Sequence, residues 1–364
     1  MEVPFANFRR GVEALRGDID AAVARVLDSG WYVLGTEGDA FEREFAATIG
    51  AAHAVGCANG TDAIELALRA LDVGPGDEVV TQANTCVPTV SAIARTGATP
   101  VLCDVEPEAG TIDPESLRGA LGPRTRAVVP VHLYGQCGDV DAVAEVAGDV
   151  PVVEDCAQAH GAKLRGRPAG TMGALASFSF YPTKNLGALG DGGAVTTGDD
   201  ALAERVRLLR QYGQTDRYRH EIAGVNSRLD ELQAAILRVK LEHLEAGNAR
   251  RRDIAAAYSA ALEGSGARPL AALPDREHVF HLYVIRVADR DGFQAAMTAA
   301  GVGTIVHYPV PVHGHPPYAE LAGGPVPLTV SEQLAGEVVS LPVYPELTDD
   351  EVAHVAAAAK EAAG

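Results

Sequence analysis

The feature that most constrains the fold is a regular alternation of short apolar runs and amphipathic stretches, which starts near residue 54. Seven apolar runs are bounded by glycine, proline or polar residues, as is typical of buried strands. They are Ala54–Cys57, Val79–Thr81, Pro100–Cys103, Ala127–Val131, Val152–Glu154, Ala176–Phe180 and Gly193–Thr197. Stretches with helical spacing, such as Val87–Thr96 and Val140–Ala147, lie between several of them. The alternation predicts an α/β fold with a mostly parallel seven-stranded sheet sandwiched between helices.

Length and composition leave room for a second, smaller unit. The chain has 364 residues, of which 47% are hydrophobic and 22% are charged, as is typical of a globular protein. Residues 229–262 carry apolar side chains at helical spacing without a proline, and predict one long helix of the kind that bridges two domains. We therefore expect a large domain over residues 1–245 and a smaller C-terminal α/β domain over residues 246–364.

Charge and hydropathy narrow the possible partners. The net charge of −19 argues against nucleic acid, because phosphate backbones are bound by basic patches. A nucleotide-linked substrate stays open, since one diphosphate needs only a few local donors. Charged residues interrupt every apolar stretch well before the ~20 residues of a membrane span, and the amino terminus lacks the apolar core of a signal peptide. We expect no membrane partner and a cytoplasmic protein.

The cysteines give no indication of a metal site or a disulfide framework. The chain has five of them, at positions without the spacing of metal ligands, and mostly in apolar surroundings. We expect them to be reduced and buried, and we predict no metal.

Lys184 is the first candidate for chemistry. It lies in SFSFYPTKNLGALGDGG (Ser177–Gly193), between a strand-like run and a glycine-rich loop, with no carboxylate in the sequence until Asp191. Burial there would lower the pKa of the lysine and leave a fraction as free amine, which can attack a carbonyl. The alternative is a solvated loop lysine, which is the commoner case for an isolated lysine.

Two upstream segments are placed as a pyridoxal phosphate site would need. Asp155 ends a buried run, where it could pair with a pyridinium nitrogen, or alternatively cap a helix. Gly60 and Thr61 follow a strand and open an amphipathic helix, where free amides and the helix dipole favour a phosphate. Many strand-to-helix turns look like this, so each segment alone is weak evidence.

Taken in order, these segments and two later ones resemble a known family. The succession of NGTDA, EDCAQAHGA, SFSFYPTKNLGALGDGG, GVNSRLDELQAA and HYPVPVH is similar to the DegT/DnrJ/StrS sugar aminotransferases. The resemblance runs from GWYVLGTEGDAFEREFA to LPVYPELTDDEVAHV, nearly end to end. It implies the aspartate aminotransferase fold (fold type I) with pyridoxal 5'-phosphate as cofactor and pyridoxamine phosphate as intermediate. It also implies a homodimer with shared active sites.

The resemblance assigns roles to individual residues. The family's Schiff-base lysine corresponds to Lys184 and its pyridinium partner to Asp155. The other residues expected around the cofactor are Gly60, Thr61, Gln158 and Ser179, with Asn226 supplied by the second subunit. Cys86 stands where many members carry an aromatic ring over the cofactor, so we expect weaker stacking and a roomier pocket. The residues expected near the substrate are Tyr32, His307, Tyr308 and His313, with a packing role as the alternative for each of them.

The family also suggests the reaction. L-Glutamate is the expected amino donor, and the acceptor is expected to be a nucleotide-linked keto-sugar, most like C3 of a dTDP-linked 3-keto-6-deoxyhexose in amino-sugar biosynthesis. Members acting on C4 of a 4-keto sugar, or on a scyllo-inosose, share the cofactor motifs and stay open.

Three other functions are less consistent with the sequence. A sugar dehydratase of the same fold would carry histidine in place of Lys184. A cofactor-sensing regulator would be expected to carry a DNA-binding module, which neither terminus shows. A Rossmann dehydrogenase would show GxGxxG after the first strand. His132 and His160 are interpreted as structural rather than as the proton shuttle, since an acid–base histidine needs a demonstrated partner.

Overall fold

The strands of the structure follow the apolar runs of the sequence. The computed structural model describes all 364 residues. In chain order the strands are β1 (His53–Cys57), β2 (Glu78–Gln82), β3 (Thr99–Cys103), β4 (Thr125–Val129), β5 (Val153–Asp155), β6 (Lys163–Leu164), β7 (Arg167–Pro168), β8 (Leu175–Ser179), β9 (Gly193–Thr197), β10 (Gln214–Asp216), β11 (Arg219–His220), β12 (Arg268–Pro269), β13 (Arg276–Glu277), β14 (Tyr283–Arg286) and β15 (Val338–Leu341). Each of the seven predicted strands is present, with bounds that differ by at most two residues.

Seven strands form the large sheet, in the order β1-β9-β8-β5-β4-β2-β3. The sequence-distant halves meet where β4 and β5 run side by side, through the parallel pairs Val128–Val152 and Val131–Asp155. Six strands are parallel, and β9 runs antiparallel to both of its neighbours. The mostly parallel sheet predicted from the sequence is therefore confirmed.

Helices cover both faces of this sheet and build much of the remainder. They are α1 (Phe8–Ala14), α2 (Arg16–Ser29), α3 (Thr36–Ile49), α4 (Gly60–Ala70), α5 (Val87–Arg95), α6 (Pro114–Ala120), α7 (Val140–Ala147), α8 (Asp200–Leu209), α9 (Glu231–Leu241), α10 (Leu244–Leu262), α11 (Arg290–Ala299), α12 (Thr329–Glu337) and α13 (Asp349–Ala362). Short 3₁₀ helices lie at Leu133–Gly135, Val312–Gly314 and Pro316–Gly323. None of the helices combines the length and the apolar character that crossing a membrane would require.

The single long helix predicted over residues 229–262 is wrong. Two helices, α9 and α10, occupy this region, and the helical hydrogen-bond pattern is interrupted at Glu242 and His243. No proline or glycine causes the interruption, which is why the apolar spacing gave no sign of it. The break places His243 and the start of α10 against the cavity described below.

Three large groups of buried side chains hold the molecule together, and one of them packs α4, α5 and α8 against the large sheet. Another also packs against this sheet, where Phe41, Phe45, Phe178 and Phe180 meet edge to face with ring centroids 5.0–5.3 Å apart. The third joins α10, α11 and α13 to the sheet β12-β14-β15 near the carboxyl terminus. Val3 belongs to this third group, is fully buried, and pairs with Val302. The division at residues 245 and 246 stays a prediction, since α10 runs across it.

Candidate active site

The candidate residues converge where the parallel strands of the large sheet end. Asp155 is the last residue of β5 and Ser179 the last residue of β8. Gly60 opens α4 shortly after β1, and Cys86 lies just before α5, after β2. Because the carboxyl ends of parallel strands share one edge, residues far apart in the sequence meet there.

Asp155 is held rigidly at this edge. It is only 3% exposed, and its Oδ2 accepts a hydrogen bond from the Thr89 hydroxyl at 2.9 Å while its Oδ1 accepts from the Ala157 N–H at 3.1 Å. Thr85 Oγ1 lies 3.0 Å from Thr89 Oγ1 and completes a short hydroxyl relay. Burial raises the pKa of Asp155, an effect opposed by its two hydrogen bonds and by the nearby Lys184. A further cation against this carboxylate would favour its ionised form.

Lys184 lies in a tight turn after β8, where its N–H donates to the Tyr181 carbonyl at 2.8 Å. Burial lowers the pKa of its amine, although the neighbouring Cys86 and Asp155 work in the other direction. The sequence context predicted this lowering, which increases the fraction of neutral, nucleophilic amine.

The start of α4 forms an anion cradle beside Ser179. Asn59 caps the helix by accepting from the Asp62 N–H at 2.9 Å, which leaves the Gly60 and Thr61 amides without a protein acceptor. A Cβ added to Gly60 would lie 2.6 Å from the Ser179 Cβ, so only glycine allows the helix start to approach this hydroxyl. Free amides, the positive helix end and a hydroxyl fit a phosphate group.

Gln158 and Tyr308 close another side of the site. Gln158 accepts from the Tyr134 N–H at 2.7 Å and donates to the Tyr308 hydroxyl at 3.1 Å. The Tyr134 hydroxyl in turn donates to the His307 carbonyl at 2.6 Å, which fixes the HYP loop to the sheet edge. Burial raises the pKa of Tyr308, with further contributions from the adjacent Cys86. Of the five cysteines, Cys86 alone is not fully buried.

The two histidines near this edge have structural surroundings. His132 accepts from the Gly138 N–H at Nδ1, so its Nε2 carries the proton that faces Glu154 at 2.9 Å. Burial disfavours ionisation of Glu154, but this bond and the N–H groups of Gly170 and Gly173 lower its pKa overall. The carbonyl of His160 accepts a hydrogen bond from Asn248 at 2.8 Å, while its ring packs on Phe178 and Phe180, and burial lowers the pKa of the imidazole to about 3.

The remaining predicted residues are placed differently. His307 lines the same cavity as Lys184, and its Nδ1 lies 2.8 Å from Ser340 Oγ. His313 instead faces α12, where its Nε2 lies 3.1 Å from a Glu332 carboxylate oxygen, and it does not line that cavity. Tyr32 is 49% exposed on the loop between α2 and α3. Asn226 is also exposed, and its backbone pairs with Gln211.

A cavity of about 780 Å³ opens beside Lys184. Its walls come from the amino-terminal segment Phe5–Leu15, the lysine turn, the break between α9 and α10, and loops of the carboxyl-terminal part. Asn185 and His281 line it and are joined by a bond of 3.2 Å. Sequence reasoning missed both of these residues as well as Thr89. Only the position of Asn185 next to the lysine could have drawn attention to it.

The residues at the sheet edge fit pyridoxal phosphate. The chain offers the Lys184 amine of lowered pKa and the fixed carboxylate of Asp155. It also offers an anion cradle at Gly60, where there is no room for a Cβ, and the polar side chain of Gln158 between these groups. These are the groups needed to hold the aldehyde, the ring nitrogen, the phosphate and the ring face.

Comparison with known proteins identifies the relatives of this chain. The model of the DegT/DnrJ/EryC1/StrS aminotransferase family matches residues 13–360. The erythromycin biosynthesis sensory transduction protein EryC1 of Saccharopolyspora erythraea is 49% identical over 100% of both chains. The dTDP-3-amino-3,4,6-trideoxy-alpha-D-glucose transaminase of Streptomyces venezuelae is 48% identical over 99% of this chain and 96% of the relative.

Solved structures agree with the sequence relatives. The crystal structure of S. venezuelae DesV in complex with a ketimine intermediate superimposes with a TM-score of 0.97 at 48% identity, over 100% of this chain and 98% of DesV. The sugar aminotransferase Spr1654 of Streptococcus pneumoniae, solved in a PLP form, gives a TM-score of 0.89 at 26% identity over 95% of this chain and 96% of that one.

Proposed function

Because this chain belongs to the DegT/DnrJ/EryC1/StrS aminotransferase family, we propose that it moves the amino group of L-glutamate to C3 of a dTDP-linked 3-keto-6-deoxyhexose. The family, the fold type I architecture, the cofactor pyridoxal phosphate and a role in amino-sugar biosynthesis follow from the comparisons. The observation that carries the reaction type is the half-buried Lys184 amine of lowered pKa beside the fixed carboxylate of Asp155. The position of amination on the sugar and the dTDP group rest on the name of the S. venezuelae relative.

The side chains divide the work of transamination between them. When bound, pyridoxal phosphate supplies an electron sink for the negative charge that develops at the donor α-carbon. Lys184 Nζ takes the proton from that carbon, because burial keeps part of the amine neutral. Asp155 holds a proton on the ring nitrogen, and Thr89 and Ala157 fix the carboxylate for that task. Gly60, Thr61 and Ser179 anchor the phosphate, so the ring keeps its place while substrates exchange.

The two substrates react in turn at one site. The site has one proton-transferring amine, Lys184, and one carboxylate, Asp155. Lys184 therefore moves the proton of the amino donor first and that of the keto-sugar afterwards. Ping-pong kinetics follow from this arrangement.

The proposed assembly is a homodimer with shared sites. Asn226 is exposed on the isolated chain, and so are the aromatic side chains of Trp31, Tyr181 and Tyr212, which a partner subunit would cover. We propose that Asn226 reaches the phosphate cradle of the partner. Mixing inactive Asn226→Ala and Lys184→Ala variants should restore part of the activity in hybrid dimers, and absence of recovery would contradict a shared site.

A cytoplasmic location is part of the same proposal. The five cysteines are all free, and four of them are buried, which suits a reducing compartment.

The deciding experiment is an absorbance titration of the cofactor-loaded enzyme. Addition of L-glutamate should shift the absorbance of the bound cofactor to that of the pyridoxamine form, and a 3-keto deoxysugar nucleotide should shift it back. A panel of 3-keto, 4-keto and inosose acceptors then identifies the ring carbon. An enzyme that ignores glutamate, or that accepts only 4-keto sugars or scyllo-inosose, would refute the proposed donor or acceptor respectively.

A further inference from the structure

The cavity beside Lys184 carries a charge opposite to that of the protein as a whole. The chain has a net charge of −19, yet this cavity is lined by Lys184, Lys240, Arg250 and Arg251 and by one carboxylate, Glu346. Such a concentration of positive charge in a concave, partly apolar site attracts anions.

Arg251 lacks a carboxylate partner although it is only 7% exposed. Its Nη1 donates to the carbonyls of Phe280 and His281 at 3.1 and 3.4 Å and to that of Val343. No carboxylate of the chain lies within 4 Å of its guanidinium, and Glu346 is no exception. A buried guanidinium without a direct ion-pair partner is costly; Glu346 acts on it only from beyond ion-pair distance, and an anionic ligand in contact with it would relieve that cost.

Lys240 is a second cation that lines this cavity without forming an ion pair with a carboxylate. Its Nζ donates to the Gly187 carbonyl, in the turn that follows Lys184, and no carboxylate of the chain lies within 4 Å of it. Arg250 differs from both, because it pairs with Asp349 at 2.7 Å and also donates to the Leu347 carbonyl at 2.7 Å.

A short path of contacts connects Arg251 to the reacting lysine. Arg251 holds the His281 carbonyl, and the His281 ring lies 3.2 Å from the amide of Asn185, the residue after Lys184. Arg251 and Lys184 also line the same cavity, so a small ligand bound at Arg251 shares that cavity with the residue that takes a proton from the amino donor. The donor carries a carboxylate on the same carbon as its amine, so a cation in this cavity would help to orient the donor toward the lysine.

We propose that Arg251 and Lys240 form a carboxylate subsite that orients the amino donor against Lys184. The inference rests on the proposed function and extends it, since it names the residues that select a dicarboxylic amino acid. A planar guanidinium matches a carboxylate in a two-point contact, and Lys240 adds a point charge for a second carboxylate. The alternative source of an anion is the diphosphate of the sugar nucleotide, which the same experiment distinguishes.

The test measures binding of glutarate, a five-carbon dicarboxylate without an amine, to the cofactor-loaded enzyme by calorimetry. Arg251→Gln should weaken glutarate binding by about tenfold or more, because a charge-assisted contact is lost. Binding of dTDP should stay unchanged. Arg250→Gln is the matched control, since it removes a neighbouring arginine whose charge Asp349 already balances, and it should leave glutarate binding unchanged.

Arg251 also donates to three backbone carbonyls, so Arg251→Gln could disturb the local fold as well as the subsite. A second variant therefore tests the subsite independently. Lys240→Met removes a charge whose amine bonds one carbonyl, and it too should weaken glutarate binding. Unchanged glutarate binding in both variants, or loss of dTDP binding with glutarate retained, would overturn the subsite. Failure of the unmodified enzyme to react with glutamate would instead refute the proposed function, so the two failures are distinguishable.

Discussion

Lys184 stands between two regions that are built in opposite ways. On one side lies the sheet edge, where Glu154 and Asp155 of β5 and Gln158 in the turn after it have their hydrogen bonds satisfied within the protein. On the other side lies the cavity, whose walls come from six separate segments of the chain and whose cations Lys240 and Arg251 form no ion pair with a carboxylate. The edge is preorganised for unchanging cofactor chemistry, whereas the cavity leaves its charges free for exchanging ligands.

The strongest test of this difference between the sheet edge and the cavity is to remove Lys184, which lies between them. Lys184→Ala should lower turnover by at least about 10⁴-fold, because no other amine stands at the sheet edge to move the proton. Turnover assays and the absorbance of bound cofactor would measure the loss, with circular dichroism as the control for folding. A variant that keeps full turnover would refute the assignment of the lysine.

Asp155→Asn tests the sheet edge alone. The amide cannot hold a positive charge on the ring nitrogen, so both half-reactions should slow by about 10²–10³-fold. The cofactor should remain bound, because the phosphate cradle at Gly60 and Ser179 is untouched. Stopped-flow absorbance measures each half-reaction, and an unaltered rate would mean that another residue fills this role.

Gly60→Ala tests whether the cradle depends on close approach. The added methyl group would lie 2.6 Å from Ser179 Cβ, and overpacking of this kind costs about 1–3 kcal/mol, or about five- to 150-fold in cofactor affinity. Gly17→Ala is the matched control, because its Cβ meets nothing within 4 Å and a helical alanine should stabilise α2 by about 0.5–1 kcal/mol. Equal cofactor affinity in both variants would show that the close approach is unimportant.

The smallest effect is expected from a substitution in the amino-terminal segment, which forms one wall of the cavity. Arg10 ties the amino-terminal segment to α13 through a two-point ion pair with Glu351 at 2.7 and 2.8 Å. Arg10→Gln should expose this segment to proteolysis about two- to fivefold faster without changing the cofactor absorbance. A matching change in cofactor absorbance would contradict the independence of the two regions.

The same ion pair predicts a pH dependence. The hydrogen bond from Arg10 lowers the pKa of Glu351 to about 2, below its value of about 4.3 in an unfolded chain. A lowered carboxylate pKa stabilises the fold above the unfolded value, and the contribution disappears as the pH falls from about 4.3 through about 2. Proteolysis of the amino-terminal segment should therefore rise over this range in the unmodified enzyme and change less in Arg10→Gln.

The sequence predicted the sheet edge far better than the cavity. Strand ends can be located from apolar runs, and Lys184 and Asp155 lie directly beside such runs. The antiparallel direction of β9 was not visible, because an apolar run carries no information on strand direction. Thr89 was missed since its role depends on the angle at which α5 meets β5.

The cavity escaped prediction for a different reason. Arg251 lies in an arginine-rich helical stretch, where its spacing is that of a solvated face, and only the packing of α10 against Phe280, His281 and Val343 buries it. His313 shows the reverse case, in which a motif suggested a substrate residue and the chain turned its side chain toward Glu332. Its substrate role stays a prediction that no observation tests.

The position of Val3 has a consequence for how the chain is made. Val3 pairs with Val302, and its backbone exchanges hydrogen bonds with Gly301 and Gly303, both 2.9 Å long. Val3 thus finds its partners only after the segment around Val302 has been synthesised, when the strands of the large sheet are already available to pair. A bulky group attached next to Val3 would accordingly disturb a contact between two segments that lie far apart in the sequence.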